Sequence, residues 1–351
     1  PVPENVETVM AMGFEAWIED QFLRPEGWLQ PWTDWSAANA QAAALYGNAK
    51  QYAWWNRVMG VPKLRPDDPP AAEATPDPLR QRVAFALSQI LVTSDRPEQL
   101  AVEQRGMANY YDLMVAHAFG NYEDLLLAVA LHPVMGIYLS HLGNQKADPS
   151  IQRFPDENFA REIMQLFTIG LWELEPDGDR RLSDGTDPDP AGNVVPAGQP
   201  IPTYGNPDIT ELARVFTGLS FGNNANFALY PRDFTVPMKL WDAEHDCAPK
   251  TLLGGLVLPA RTPSPGNTGT AGMADVTAAV SNLFHHPNVG PFIGRQLIQK
   301  LVTSNPSPAY VARVAAVFNN DGSGRRGNLG AVVRALLLDA EARNAPSGTA
   351  A

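Results

Sequence analysis

Three polar residues, Asn158, Glu162 and Gln165, lie within the apolar sequence PDENFAREIMQLFTIG (residues 155–170). On a helical wheel they form a stripe along the border of the face that the apolar residues bury. An ionised glutamate in such a place costs free energy unless it is paired or hydrogen-bonded. We therefore expect Glu162 at a seam between helices, neutralised by a cation from a distant part of the chain. The candidate cations are Arg82, Arg214 and Arg295.

The polar stripe has two chemically different interpretations, besides that of an ordinary surface position. A buried polar network would fix the register of packed helices, whereas a reactive carboxylate would line a pocket. In a pocket, Glu162 would transfer protons or bind a metal. Arg161 and Arg214 would then bind an anionic group, with Asn158 as a further ligand-binding residue.

A second group of chemically capable residues lies in EHDCAPK, residues 244–250. A carboxylate beside an imidazole can orient the ring as a base or as a metal ligand. Adjacent residues rarely bond each other in this way, so the partner of His245 must come from elsewhere in the chain. His245 is therefore either a catalytic residue or a structural hydrogen-bonding residue, and Lys250 is a candidate ligand-binding residue. The sequence has no HExxH motif, which weakens a zinc-hydrolase interpretation.

Aspartates cluster in EPDGDRRLSDGTDPDPAGN, residues 175–193. Calcium prefers oxygen ligands, so Asp177, Asp179, Asp184 and Asp187 are candidate calcium ligands. Their spacing does not match an EF-hand loop, and Asp and Gly are also common turn residues. A solvated loop is the alternative. Calcium is the one cofactor that the sequence suggests.

The segment NPDITELARVFTG, residues 206–218, predicts a further helix with a defined start. Asp208 as the N-cap and Glu211 three residues later would form a capping box. Arg214 would lie at the flank of the buried face, and Gly218 would end the helix.

The elements that position these residues are predominantly helical. Apolar residues recur at spacings of three and four, and the runs end at Gly or Pro, which indicates ten or more helices. Strand signals are scarce. The sequence predicts an all-α globular protein with little or no sheet, in a single domain over residues 1–351. Long Pro-, Gly- or Asp-rich stretches interrupt the helices at residues 60–78, 173–207 and 259–273.

Composition argues against nucleic acid and membrane surfaces as partners. The 351-residue chain has a formal net charge of −12, which repels nucleic-acid phosphates and anionic lipid. No apolar run approaches the ~20 residues that span a bilayer.

The first residues lack a basic n-region and an apolar h-region, so we expect no signal peptide within this sequence. One cysteine, Cys247, excludes a disulfide within the chain.

Several long motifs together resemble a known family. They include PDENFAREIMQLFTIGL, ITELARVFTG, EHDCAPKTLLGG and HPNVGPFIGRQLIQKLVTSNPSPAYVARVAAVF. In order and spacing they are similar to the bacterial DUF1800 family, of unknown function, from about residue 5 to residue 343. The resemblance implies a mainly helical protein exported to the periplasm or outside the cell. It also implies that the gene often lies beside one for a second exported protein, of the DUF1501 family. It implies no established reaction.

Two functions follow as alternatives. The first is an exported scaffold or binding protein that works with a DUF1501-type partner. The second is an exported enzyme, with or without a bound metal, whose pocket contains Glu162, Arg161, Arg214 and His245. A shared, solvent-reachable cavity for Glu162 and His245 would favour the enzyme.

Overall fold

The computed structural model describes residues 3–39, 48–59 and 77–344. Within them the protein is mostly helical, with sixteen helices and four short strands. The helices are Pro3–Met12 (α1), Phe14–Leu23 (α2), Gln30–Asn39 (α3), Ala49–Met59 (α4), Pro78–Ile90 (α5), Glu98–Ala101 (α6), Gln104–Ala116 (α7) and Tyr122–Ala130 (α8). They continue with Pro133–Tyr138 (α9), Asn158–Gln165 (α10), Asn206–Val215 (α11), Thr270–Phe284 (α12), Val289–Leu301 (α13), Pro308–Asn319 (α14), Leu329–Leu338 (α15) and Ala340–Arg343 (α16). The strands are Leu219–Ser220 (β1), Lys239–Leu240 (β2), Lys250–Leu252 (β3) and Leu256–Leu258 (β4).

The strands form two small antiparallel sheets, β1 with β2 and β3 with β4. The prediction of a helical protein is confirmed in its main feature, but the chain is not strictly all-α. The β3–β4 hairpin was missed because its sequence, KTLLGGLVL, is a short apolar run without a clear alternation of polar and apolar residues. Two glycines at positive φ, Gly254 and Gly255, make its turn.

Helix α5 illustrates how local sequence determines the helical elements. Asp77 is its N-cap and Pro78 occupies its first turn, where the missing N–H of proline costs no helical hydrogen bond. The Asp77 carboxylate caps no backbone N–H of its own helix, however, and instead accepts from the Gly27 backbone N–H at 2.9 Å and from the Gln81 side chain at 3.3 Å. The buried residues Val83 and Leu87 lie one turn apart on the face that packs against α7 and α13.

Apolar side chains from α2 to α15 join into one connected hydrophobic cluster. Helices α13 and α14 form the most extensive helix pair of this core, and α14 packs in turn on α15. No helix in the described ranges is both long enough and apolar enough to cross a membrane. The single domain over residues 1–351 stays a prediction.

The three irregular stretches have different outcomes. Residues 173–205 contain neither a helix nor a strand, but isolated β-bridges such as Leu182–Pro200 connect them. The predicted loop at 259–273 ends early, because α12 already begins at Thr270. Most of the 60–78 stretch, residues 60–76, lies outside the described residues.

Candidate functional site

The EHDCAPK segment connects β2 to β3 and lies against α11 and α12. Its position depends on Gly218, which has a φ of +85°. A Cβ at this residue would lie 2.7 Å from the Trp241 carbonyl oxygen and 2.9 Å from the His245 nitrogen. Only glycine allows the chain after α11 to approach the segment this closely.

Asp275 of α12 is the centre of a cluster of titratable side chains, which we call the Asp275 cluster (His245, Lys250, Arg261 and Asp275). All of them are buried except Arg261, which is partly exposed. The carboxylate has a side-chain exposure of 0%. It accepts hydrogen bonds from Lys250 Nζ at 2.8 Å and Arg261 Nε at 2.7 Å, and His245 Nε2 lies 3.3 Å away. Burial raises the pKa of Asp275, but its hydrogen bonds with His245, Lys250 and Arg261 outweigh it and hold the pKa well below the ordinary value.

Both ring nitrogens of His245 face protein oxygen atoms. Nδ1 lies 2.9 Å from the Thr217 carbonyl oxygen, and Nε2 faces Asp275. The residue is 1% exposed. Sequence reasoning required a distant partner for this histidine, and Asp275 is that partner. Neither nitrogen is available to a substrate or a metal in this arrangement.

Lys250 and Arg214 have no free donors for the anionic ligand that the sequence suggested. Lys250 Nζ donates to Asp275, to the Ala248 carbonyl oxygen at 3.2 Å and to the Asp246 carbonyl oxygen. An ammonium has three donors, so all are used.

Arg214 connects α11 to the same segment. Its Nε and Nη2 bind the two oxygens of Asp246 at 2.7 and 3.2 Å. Nη1 contacts both oxygens of Glu211 at 2.8 Å, and Nη2 also donates to the Pro249 carbonyl oxygen at 3.0 Å. These five contacts equal the number of guanidinium N–H donors. The hydrogen bonds that Arg214 donates to Asp246 and Glu211 raise its pKa above the ordinary value.

The capping box of α11 was predicted at the wrong residues, Asp208 and Glu211. The N-cap is Gly205, and Asp208 is the third helical residue, where its Oδ2 accepts from the Gly205 N–H at 2.8 Å. Glu211 pairs with Arg214 and accepts from the Thr251 N–H at 3.0 Å. It therefore ties α11 to β3.

The predicted bridge from Glu162 to a distant arginine is wrong. Glu162 is half-buried on α10, and no hydrogen bond or ion pair joins its carboxylate to any residue in the described ranges. Arg214 is used by Asp246 and Glu211, and Arg295 donates to the Gly178 carbonyl oxygen at 3.0 Å. A partly solvated carboxylate does not require a cation, and the wheel had placed Glu162 too deep.

A different glutamate links α10 to α11. Glu157 Oε1 accepts from Thr210 Oγ1 at 2.8 Å, and Oε2 lies 3.4 Å from Arg161 Nη2, one turn along the helix. The Asn158 N–H donates to Asp156 Oδ1 at 2.8 Å, which is a turn contact at the start of α10. Thus Asn158, Arg161 and Glu162 have no bond to the Asp275 cluster among the described residues.

The aspartates of the 175–193 loop do not converge. Asp184 Oδ1 accepts from the N–H and the hydroxyl of Thr186, at 2.8 and 2.6 Å. Asp187 pairs with Arg181 at 2.6 Å, and Asp177 accepts from the Asp179 N–H at 3.1 Å. No group of three or more His, Cys, Asp or Glu residues within the described ranges is placed to hold a metal. The geometry gives the calcium prediction no support, because these carboxylates stabilise turns.

Two surface cavities lie away from all of these residues. One, of about 490 Å³, lies beside the β3–β4 hairpin and is lined by residues that include Leu256, Asn282, His285 and His286. The other, of about 300 Å³, lies between the start of α3 and α7, and we call it the α3–α7 cavity. Neither cavity is lined by Glu162 or His245.

Asp112 of α7 lines the α3–α7 cavity and was not found from the sequence. Its two oxygens accept from the backbone N–H groups of Leu29 and Gln30, at 2.7 and 2.8 Å, where α3 begins. Burial raises the pKa of Asp112 from 3.8 to about 7, although these two hydrogen bonds and the Arg57 charge act in the opposite direction. The available signal was an acidic residue next to apolar ones, in NYYDLMVA.

A family model described as "Protein of unknown function (DUF1800)" matches residues 1–351. No curated protein and no solved structure is similar enough to match the chain.

Proposed function

The chain belongs to the DUF1800 family, and we propose that it is a scaffold or binding protein that acts through a protein partner. One observation carries the proposal. His245 and Lys250 of its EHDCAPK motif are both bonded to Asp275, and all three side chains have no exposed surface. A catalytic group must reach a substrate, directly or through one water. His245 and Lys250 instead hold a loop between two helices, as buried charged networks do when they fix register.

The alternative, an enzyme, requires Glu162, Arg161, Arg214 and His245 on one cavity. The donors of Arg214 are occupied, and the two cavities described above are lined by none of these four residues. The binding function therefore agrees better with the geometry.

Export and the type of partner are part of the same proposal, and the motif resemblance supports both. We propose a periplasmic or extracellular protein whose partner is of the DUF1501 type. The net charge of −12 favours a partner with a basic contact surface. Helices α1 and α2, which pack on each other, expose Met10 (79%) and Leu23 (87%), side chains that an apolar contact would cover.

The test is binding between the purified chain and the purified DUF1501-type protein encoded beside its gene. Light scattering at tens of micromolar protein should detect a complex. The double substitution Met10→Asp with Leu23→Asp should weaken it at least tenfold. Val257→Asp, at an exposed apolar residue of β4 (61%), is the matched control and should leave binding unchanged.

Two outcomes would overturn the proposal. One is the absence of a complex at these concentrations. The other is a chemical turnover that Glu162→Gln abolishes at an unchanged melting temperature. Fractionation of the native host tests export separately, since the protein should be found outside the cytoplasm.

A further inference from the structure

Two of the polar side chains that line the α3–α7 cavity, Asn109 and Gln30, have orientations fixed by hydrogen bonds that begin at the buried His132. His132 is 3% exposed, and burial lowers its pKa to about 3, so its ring is neutral. Its Nδ1 accepts from the Val134 N–H at 3.1 Å, so Nε2 carries the proton and donates to Asn109 Oδ1 at 3.0 Å. Asn109 Nδ2 then donates to Gln30 Oε1. This chain of bonds fixes the orientation of two carboxamides that line the cavity.

The chain of bonds leaves specific groups for a ligand. With Gln30 Oε1 engaged, the amino group of Gln30 has no hydrogen-bond partner among the described residues. Each oxygen of Asp112 accepts one backbone N–H and retains a second lone pair. The cavity therefore offers donors and acceptors side by side.

The charges that face the cavity compensate one another. Asp34 also lines it and pairs with Arg105 at 2.6 Å. The positive charge of Arg57 favours the ionised form of Asp112, whereas the negative charge of Asp34 disfavours it. With two arginines against two carboxyl groups, an ionic ligand of either sign gains little net attraction.

The remaining wall is apolar. Trp28 is 41% exposed at the cavity, and Leu113 and Ala116 line it from α7. An indole ring offers a flat apolar face with low conformational entropy. The volume of about 300 Å³ is at the small end of ligand pockets, which suits one or two small rings.

We propose that the α3–α7 cavity binds a small neutral polyhydroxylated ligand, of the size of a mono- or disaccharide. Hydroxyl groups both donate and accept, so they match the carboxamide and carboxyl groups of Gln30, Asn109 and Asp112. The C–H face of a sugar ring matches the Trp28 side chain. This site goes beyond the proposed partner binding and does not depend on it.

Saturation-transfer NMR with glucose, galactose, N-acetylglucosamine and cellobiose as probes tests the proposal. At least one probe should give transfer signals with the full chain. Trp28→Ala and Gln30→Ala should each reduce the affinity at least tenfold. Trp55→Ala, at an exposed tryptophan of α4 (54%), is the control and should leave it unchanged. Melting temperatures show whether each variant is folded.

Three outcomes would overturn the proposal. The first is no transfer from any of the four sugars. The second is an affinity that folded Trp28→Ala leaves unchanged. The third is binding of tetramethylammonium in place of the sugars, which would indicate a cation site.

Discussion

Asp275 and Asp112 are both buried aspartates on helices, yet the pKa of Asp275 is lowered and the pKa of Asp112 is raised. Three basic side chains surround Asp275, and its pKa lies well below the ordinary value. Asp112 has two backbone N–H donors and no side-chain cation bonded to it in the described structure, and burial raises its pKa to about 7. Burial raises the pKa of both carboxyl groups. The number of neighbouring cations decides whether the net pKa shift is upward or downward.

This difference in pKa separates the Asp275 cluster, whose charge is constant, from the α3–α7 cavity, whose charge changes with pH. A fully compensated carboxylate is locked in one charge state, so it can fasten α12 to the EHDCAPK segment at any ordinary pH. A carboxyl group with a pKa near 7 can change from acceptor to donor, which is typical of ligand-binding and functional sites. The EHDCAPK segment thus lies beside the carboxyl group that keeps one charge state.

The largest expected effect is at the Asp275 cluster. Asp275→Ala should lower the free energy of unfolding by about 3–5 kcal/mol, because it leaves Lys250 buried without its counter-charge. Urea denaturation measures this. Asp179→Ala, at an exposed loop position, is the control and should show no change. A loss below about 1 kcal/mol would mean that the cluster does not hold the fold together.

The second effect is the dependence of the free energy of unfolding on pH that Asp112 causes. Its folded pKa of about 7 exceeds the ordinary 3.8, so the folded state binds more protons between these values. Its contribution to stability is present below pH 3.8 and is lost as the pH rises to about 7. One pKa unit corresponds to about 1.4 kcal/mol, so the loss is at most about 4 kcal/mol.

Comparison with Asp112→Asn isolates this contribution. The neighbouring charges Asp34 and Arg57, and the buried His132, are present in both proteins and cancel in the difference. Relative to the variant, the wild type should lose stability as the pH rises from about 4 to about 7, as urea unfolding at each pH would show. A difference independent of pH would refute the assignment.

A smaller effect distinguishes two arginines that the sequence placed in one pocket. Arg214→Ala should cost about 2 kcal/mol, since it removes the bidentate contact with Asp246 and the pairing with Glu211. Arg161→Ala should cost no more than about 0.5 kcal/mol, because its pair with Glu157 is exposed. Thermal unfolding of the two variants side by side gives the comparison. Equal losses would contradict it.

The smallest effect is expected at Glu162. Glu162→Gln should change the free energy of unfolding by less than about 0.5 kcal/mol, because its carboxylate has no bonded partner among the described residues. Chemical denaturation is sufficient for the measurement. A loss of about 2 kcal/mol or more would restore the inter-helix bridge that the sequence suggested.

Local sequence signals predicted local structure well. Apolar residues at spacings of three and four predicted ten or more helices, and the described residues form sixteen. The start of α11 was misassigned because an aspartate at the third helical position can bind the N-cap backbone and so resembles a cap itself.

Pairings across the chain could not be predicted in the same way. Asp275 is 30 residues from His245 and 25 from Lys250, and Asp112 is 83 residues from Leu29. Nothing local shows which carboxylate meets which cation. One partial signal was available, because Asp275 is the only charged residue of α12. A lone acid in an otherwise small and apolar helix indicates a buried partner.

The most direct test is a carboxyl ¹³C NMR titration of the aspartates in the full chain between pH 4 and 8. Asp112 should titrate near neutral pH, while the Asp275 resonance should stay that of a carboxylate throughout. If Asp275 titrated near neutrality, or Asp112 were fully ionised at the acidic end, the division into a locked cluster and a responsive cavity would be wrong.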